Sequence, residues 1–380
     1  MRNPPNCNTT RRVAGFTIVE IMVGMVIGMF GIIVMMQVFS LTEEQKRATT
    51  TGSDAVGNGS IIMHVLQRDI QQAGYSFSDS RILGCNLTIR TGVTINALAP
   101  VTINHASIPP GDAGTDTLMV IYGDASDGVQ GDGITGTSAA ANSYPVQTPT
   151  SFVANDNVVA VPTPAAVTCA PTMARVLSNG VAGNPNVTMA STVVSMPTSG
   201  GVLFNLGQSP NALVYAVRNG NLTLCRFINI NRATGTDSGS NCADASLTSD
   251  ATVWVPVANN IVSLRAEYGH DVSAVVTVQS PVTGYLPMAV VNTFDQATPV
   301  GACALSRTSA VRLVLVARAG QFEKTAVTTA APTWAGSATS PTPTPIDLSA
   351  NADWQNYRYK VFQNFVTMRN ASWMGVGIGC

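Results

Sequence analysis

The sequence predicts an α+β protein in which a long N-terminal helix, membrane-spanning in its first half, packs on an antiparallel β-sheet domain with long loops. Three observations predict this. Residues 16–41 read FTIVEIMVGMVIGMFGIIVMMQVFSL and carry one charge, Glu20. Val56, Gly59, Met63, Leu66, Ile70 and Ala73 then step by three and four residues, which makes one helical stripe. Beyond Tyr75 helical periodicity is scarce, and short β-rich runs alternate with turn residues. Composition narrows the class. Charged residues are 11% of the chain, against roughly 25% in typical soluble proteins, and the formal net charge is -1. Uncharged polar residues must therefore cover the surface. A near-neutral balance gives no basic footprint for nucleic acid. With only 3 His and few Lys, acid–base chemistry and metal cages have few candidates. An exported structural protein fits better than a cytosolic enzyme.

Residues 1–15 are polar and carry Arg2, Arg11 and Arg12 with no acid. Residues 16–39 span about 36 Å as a helix at ~1.5 Å per residue, enough to cross a bilayer. Basic residues on the N-terminal side place that end in the cytoplasm, and everything after Leu41 outside the inner membrane. A secretory signal has a shorter apolar run followed by a small-residue cleavage site. Here Gly15 precedes the run, so a cut after it would keep the helix as the first element of the mature chain. Glu20 is expensive inside lipid, which makes it a functional candidate. Its natural partner is the α-amino group that such a cut would leave on Phe16, in the same chain or a neighbour. The bland alternative is a carboxylate reaching to the headgroups.

The stretch Arg11-Arg12-Val13-Ala14-Gly15-Phe16-Thr17-Ile18-Val19-Glu20 resembles the class III leader of type IV pilins and pseudopilins. The resemblance implies that a prepilin peptidase cuts after Gly15 and N-methylates Phe16. It also implies that Glu20 pairs with the terminal amine of a neighbour during filament assembly. Residues 1–15 would then be a cleaved leader, 16–74 the N-terminal helix with 16–41 in the membrane, and 75–380 a periplasmic β-rich head.

The helix is expected to continue through its amphipathic half and stop at Gly74, a natural C-cap. Gln67, Arg68, Asp69, Gln71 and Gln72 lie mostly off the apolar stripe. Gly52, Gly57 and Gly59 each cost roughly 1 kcal/mol relative to Ala, which predicts a frayed or bent stretch near residues 50–60. Gly24 and Gly28, four apart in the apolar half, suit a close helix contact in a membrane.

Strands are predicted at 117–122, 158–161, 213–218, 222–228, 252–257, 261–268, 274–278, 311–317 and 357–367. Asn219-Gly220 predicts a hairpin with a type I′ turn. Residues 123–150, 179–200 and 232–250 read as polar loops, and 332–345 as an extended Pro-rich linker. Trp254, Trp334, Trp354 and Trp373 are assigned to the core or to strand faces.

Three runs resemble PilW-type minor pilins. They are the helix end Ile62-Met63-His64-Val65-Leu66-Gln67-Arg68-Asp69-Ile70-Gln71-Gln72-Ala73-Gly74-Tyr75, the strand Asn260-Ile261-Val262-Ser263-Leu264-Arg265-Ala266-Glu267-Tyr268-Gly269, and the tail Tyr357-Arg358-Tyr359-Lys360-Val361-Phe362 with Thr367-Met368-Arg369-Asn370. This resemblance implies a subunit that helps prime pilus assembly, with other minor pilins, the major pilin, the prepilin peptidase and the inner-membrane assembly machinery as partners. The J-type pseudopilins of type II secretion are similar and remain an alternative. A third is a pilin-anchored adhesin whose loops 123–150 and 179–200 carry adhesion.

Seven cysteines remain to be placed. Cys7 lies in the leader. Cys85, Cys169, Cys225, Cys242, Cys303 and Cys380 lie outside the membrane, where disulfides form, and allow 15 pairings. Cys225 and Cys242 bracket a 16-residue loop and are the favoured pair. No C-x-x-C occurs. Asp124, Asp127 and Asp132 do not have EF-hand spacing, so a solvated turn is expected there and no metal or cofactor is predicted. His64 is expected at the surface or in packing beside the stripe, and His105 and His270 are isolated. No G-x-S-x-G, H-E-x-x-H or Walker loop is present, and no enzyme is predicted.

Overall fold

A computed structural model describes residues 15–125, 131–136, 142–162, 169–190, 200–232, 236–272, 291–334 and 343–371. The chain forms two compact units, Met1–Ser53 and Asp54–Cys380, and helix α1 (Ile18–Gln72) contributes to both. In the first unit the stretch Ile18–Glu43 is long and apolar enough to cross a membrane, and none of it is buried by the protein itself. Its 26 residues span about 39 Å at ~1.5 Å each.

In the second unit α1 is a conventional amphipathic helix. Gly59, Ile62, Met63, Leu66, Ile70 and Ala73 are buried, and Leu66 and Ile70 are wholly so. Each such aliphatic side chain contributes about 1.5–3 kcal/mol by leaving water. Val56, assigned to the stripe, is 44% exposed, and the buried row begins at Ala55 instead. Asp69, assigned to the solvent side, is buried. The helix is assigned without a break through residues 50–60, where fraying or bending is predicted from the glycines. One of those glycines has a packing role that offsets its propensity cost, described below. Gly74 takes φ +78 just beyond the helix, a conformation that suits glycine and turns the chain away.

The strands that build the head are β1 (Val101–Ile103), β2 (Leu118–Tyr122), β3 (Asn157–Pro162), β4 (Met173–Arg175), β5 (Gly201–Gly207), β6 (Asn211–Arg218), β7 (Asn221–Ile228), β8 (Val255–Ala258), β9 (Ile261–His270), β10 (Thr293–Asp295), β11 (Thr308–Arg318) and β12 (Tyr359–Thr367). The short helix α2 (Gly301–Ser306) precedes β11. They form three antiparallel sheets. One has the order β8-β7-β6-β2-β1, a second β10-β9-β11-β12, and the third places β5-β3-β4 beside the short strand Asp132–Gly133.

The α1 stripe packs into one apolar cluster with Val101, Leu118, Val120, Leu213 and Tyr215 of the first sheet and Leu264, Ala266, Leu313, Leu315 and Val366 of the second. The helix thus covers both sheets. The other face of the first sheet packs on the segment around Phe77, Ile82 and Leu98 and on Val159, Val161, Val202 and Phe204 of the third sheet. Strand alternation accounts for this division: Val214 and Ala216 lie in one cluster, Leu213, Tyr215 and Val217 in the other.

Asn219 and Gly220 both take positive φ, 53 and 70, between the paired residues Arg218 and Asn221. That is the type I′ geometry the dipeptide predicts. The expected strand at 252–257 starts later, at Val255, because Thr252 donates its N–H and hydroxyl to the Asp250 carboxylate in a turn. The expected strand 274–278 lies outside the described residues. The Pro-rich segment is packed at its ends rather than extended away: Thr333–Trp334 pairs with Thr344–Pro345. Trp334 and Ile346 are buried against Val314 and Val316 on the outer face of the second sheet. Trp254 is buried, while Trp354 is partly buried beside that same cluster. Trp373 lies outside the described residues. The loops 123–150 and 179–200 contribute a ladder of their own, Ser143–Pro145 against Asn186–Thr188.

Candidate functional site

The start of α1 is a capping box. Glu20 N–H donates to Thr17 Oγ1 at 3.3 Å, and Thr17 N–H and Oγ1–H both donate to Glu20 Oε2 at 3.1 Å. Two of the helix's orphan donors are satisfied this way, and a negative charge sits at the positive end of the helix dipole. Gly15 and Phe16 precede the helix, and Phe16 is exposed. Gly24 and Gly28 have open space where a Cβ would stand.

The seat of α1 in the head rests on three contacts that join residues far apart in sequence. Gly59 lies under the ring of Phe362 on β12, where a Cβ would come within 2.1 Å of the ring. Asp69 accepts from Tyr215 Oη at 2.5 Å through Oδ2, and from Arg68 Nε and Nη2 at 3.2 and 3.1 Å through Oδ1. At the helix end, Asn370 Nδ2 donates to the carbonyls of Gln71, Gln72 and Ala73 at 3.5, 3.0 and 3.2 Å. The Gln72 carbonyl also accepts from Tyr75 N–H at 3.1 Å, and the amide adds a cap to the helix end from the opposite end of the sequence.

The electrostatics follow from burial. The Tyr215 phenol is pushed well above its ordinary range, first by burial and then by the charge of Asp69. Tyr122 is pushed up to about 12 for the same two reasons. The Asp69 carboxylate beside it raises the Arg68 guanidinium. Tyr122, Arg68, Gln72, Arg369 and Asn370 line a cleft of about 570 Å³ beside the helix end.

Cysteine chemistry ties down the head. Cys225 is bonded to Cys242, and Cys85 to Cys169. The second link joins the turn after the helix to the segment before β4, where Asn86 N–H also donates to Cys169 O at 2.9 Å. Cys303 in α2 is disulfide-bonded as well. Cys7 and Cys380 lie outside the described residues.

The remaining candidates serve separate turns. Asp124 accepts from Ser209 N–H, and Asp132 from the N–H and hydroxyl of Thr148. Asp127 lies outside the described residues. His64 is exposed, and both ring nitrogens of His105 are hydrogen-bonded, to Asn96 O and Ser107 N–H. His270 sits 3.3 Å from Asp295 across the β9–β10 pair. No local sequence pattern marks Asp69, Tyr215 or Asn370 as a site residue. A buried acid in a helical repeat reads as solvent-facing until its partner is known, and this partner is 146 residues away.

Residues 229–370 match the family model of PilW, the type IV pilus-assembly protein W. The matched stretch runs through β9, β11 and β12 to Asn370, and so takes in the second sheet and the helix cap. The match supports assignment to the PilW family, a component of pilus assembly. No curated protein and no solved structure matches the chain.

Proposed function

We propose that this PilW-family chain is a minor pilin of a type IV pilus, a structural subunit without catalysis that helps prime assembly with other minor pilins and the major pilin. A prepilin peptidase cuts after Gly15 and methylates the new amine of Phe16. The processed subunit waits in the inner membrane as a single-pass protein, N terminus cytoplasmic and head periplasmic, until the assembly machinery lifts it into the filament. The observation that carries this reading is the apolar half of α1. Its side chains from Ile18 onward are unburied by their own chain, with one acid near the start. Such a surface is stable in lipid or against other apolar helices, and in water it drives association. Entry into a filament brings Glu20 beside a neighbour's Phe16 amine and replaces two costly lone charges with one pair.

Mass analysis of the membrane-extracted protein tests the first step. The expected first residue is methyl-Phe16; a chain that still begins at Met1, or that begins beyond Leu41, overturns the reading. Glu20→Ala is expected to be cut normally yet to be missing from sheared pili, and normal piliation would remove the role assigned to Glu20. Crosslinking in intact cells identifies the system: pilus subunits support the proposal, whereas type II secretion pseudopilins replace it with the J-type alternative.

A further inference from the structure

We propose that Asn219 is a latent deamidation site, held unreactive by the carboxylate of Asp112. The Asn-Gly dipeptide occurs at 58–59, 179–180 and 219–220. Such a pair loses ammonia when the glycine nitrogen attacks the asparagine side-chain carbon, because glycine has no side chain to obstruct the approach. At the third pair a bond would form between Gly220 N and Asn219 Cγ, the Cγ–Nδ2 bond would break, and the N–H proton would leave with the amide as ammonia. Water then opens the five-membered imide at either carbonyl and leaves an aspartyl or an isoaspartyl linkage at position 219. The reacting nitrogen must first give up its hydrogen bond and turn toward the side chain. The partner of each Gly N–H therefore decides which pair reacts.

In two of the pairs the main chain holds that nitrogen. Gly59 lies within α1, and its N–H belongs to the helix ladder. Gly180 N–H donates to Phe152 O at 2.8 Å, and Asn179 Oδ1 accepts from Ala154 N–H at 2.8 Å. At the third pair one side chain does the holding. Gly220 N–H donates to Asp112 Oδ2 at 2.8 Å, and Asn219 N–H to Asp112 Oδ1 at 3.0 Å. Asn219 is exposed, and the turn borders a cleft of about 370 Å³, so water has access to it. Asp112 is itself fixed in place. Its N–H donates to Val217 O at 2.8 Å and its carbonyl accepts from Thr115 Oγ1 at 2.6 Å, while Arg218 donates to the carbonyls of Pro109 and Pro110 at 3.0 Å each. Hydrogen bonds to a carboxylate are stronger than neutral ones, so this clamp opens rarely. An isoaspartyl linkage would add a backbone carbon to the β6–β7 turn, next to Val217 and Leu222, which pack in the same cluster as the α1 stripe.

The test ages the full chain in neutral detergent at mildly alkaline pH, alongside a capped peptide of residues 214–224. Peptide mapping follows the mass change and the isoaspartate formed at each of the three pairs. Asn219 is expected to react about tenfold or more slowly in the folded chain than in the peptide. Asp112→Ala is expected to raise its rate about tenfold or more, with Asn58 and Asn179 unchanged in the same sample. Asp112→Asn keeps an accepting oxygen without the charge, and its rate is expected to fall between the two. Both variants are aged well below their melting temperatures. Equal rates in the chain and the peptide, a rate unchanged in Asp112→Ala, or a rise at all three pairs together overturns the proposal.

Discussion

Gly59 on α1 and Phe362 on β12 are in direct contact, and the contact leaves no room for a side chain at position 59: a Cβ there would lie 2.1 Å from Phe362 Cε2. The three glycines in the middle of α1 therefore differ in kind. Gly59→Ala is expected to destabilise the head by about 1–3 kcal/mol, because the ring must leave its position in a packed core. Gly57 has open space around it, so Gly57→Ala is expected to stabilise by up to ~1 kcal/mol through helix propensity alone. Denaturant unfolding of the two variants should show opposite signs, and equal shifts would contradict the contact.

Tyr215→Phe removes the donor that satisfies Asp69 Oδ2 and is expected to cost about 1–3 kcal/mol at neutral pH. It should also change the alkaline limb of stability. Burial pushes Tyr122, Tyr268 and Tyr359 up to about 12, and Tyr215 further in the same direction. A raised folded-state pKa favours the protonated phenol in the fold. That stability is fully present below the unfolded value near 10 and is lost as pH rises from about 10 through the folded values. Unfolding free energy measured between pH 8 and 11.5 should fall at the upper end, and less steeply in Tyr215→Phe.

Asn370→Ala leaves the last carbonyls of α1 without the amide that caps them. The expected cost is about 1 kcal/mol, with faster hydrogen exchange confined to the final helical turn. Protection unchanged in that turn would show that water replaces the amide fully.

The two described disulfides close loops of different length, with sequence separations of 84 for Cys85–Cys169 and 17 for Cys225–Cys242. The chain-entropy model gives about 4.5 and about 3 kcal/mol respectively. Replacing the first pair by serine should therefore lower stability more than replacing the second. Non-reducing peptide mapping should recover both links; under the proposed cleavage after Gly15, which would remove Cys7, it is expected to join Cys303 to Cys380. Recovery of Cys303 as a free thiol would refute that last pairing.

Much of this architecture can be read from the order of residues. The 26-residue apolar run 16–41 with its one acid, the three-and-four stripe, the stop at Gly74 and the Asn219-Gly220 turn are all local patterns, and each has a local cause: transfer from water, helical period, or permissive φ. The Pro-rich segment and Asp69 could not be read in the same way. Residues 332–345 have the composition of a linker, yet Trp334 and Ile346 pack on the second sheet. Asp69 has the spacing of a surface residue, yet it is held in the core by a phenol.

The sequence by itself determined the elements that answer to neighbours along the chain: the membrane-length helix, the hairpin turn and the alternating strands. Tertiary structure alone decided which strands share a sheet, that Cys85 joins Cys169, and that Asn370 closes a helix ending at Gln72. The reason is range. Periodicity and turn chemistry act over a few residues, whereas a buried charge, a disulfide or a cap is satisfied by whichever group the folded chain brings within about 3 Å.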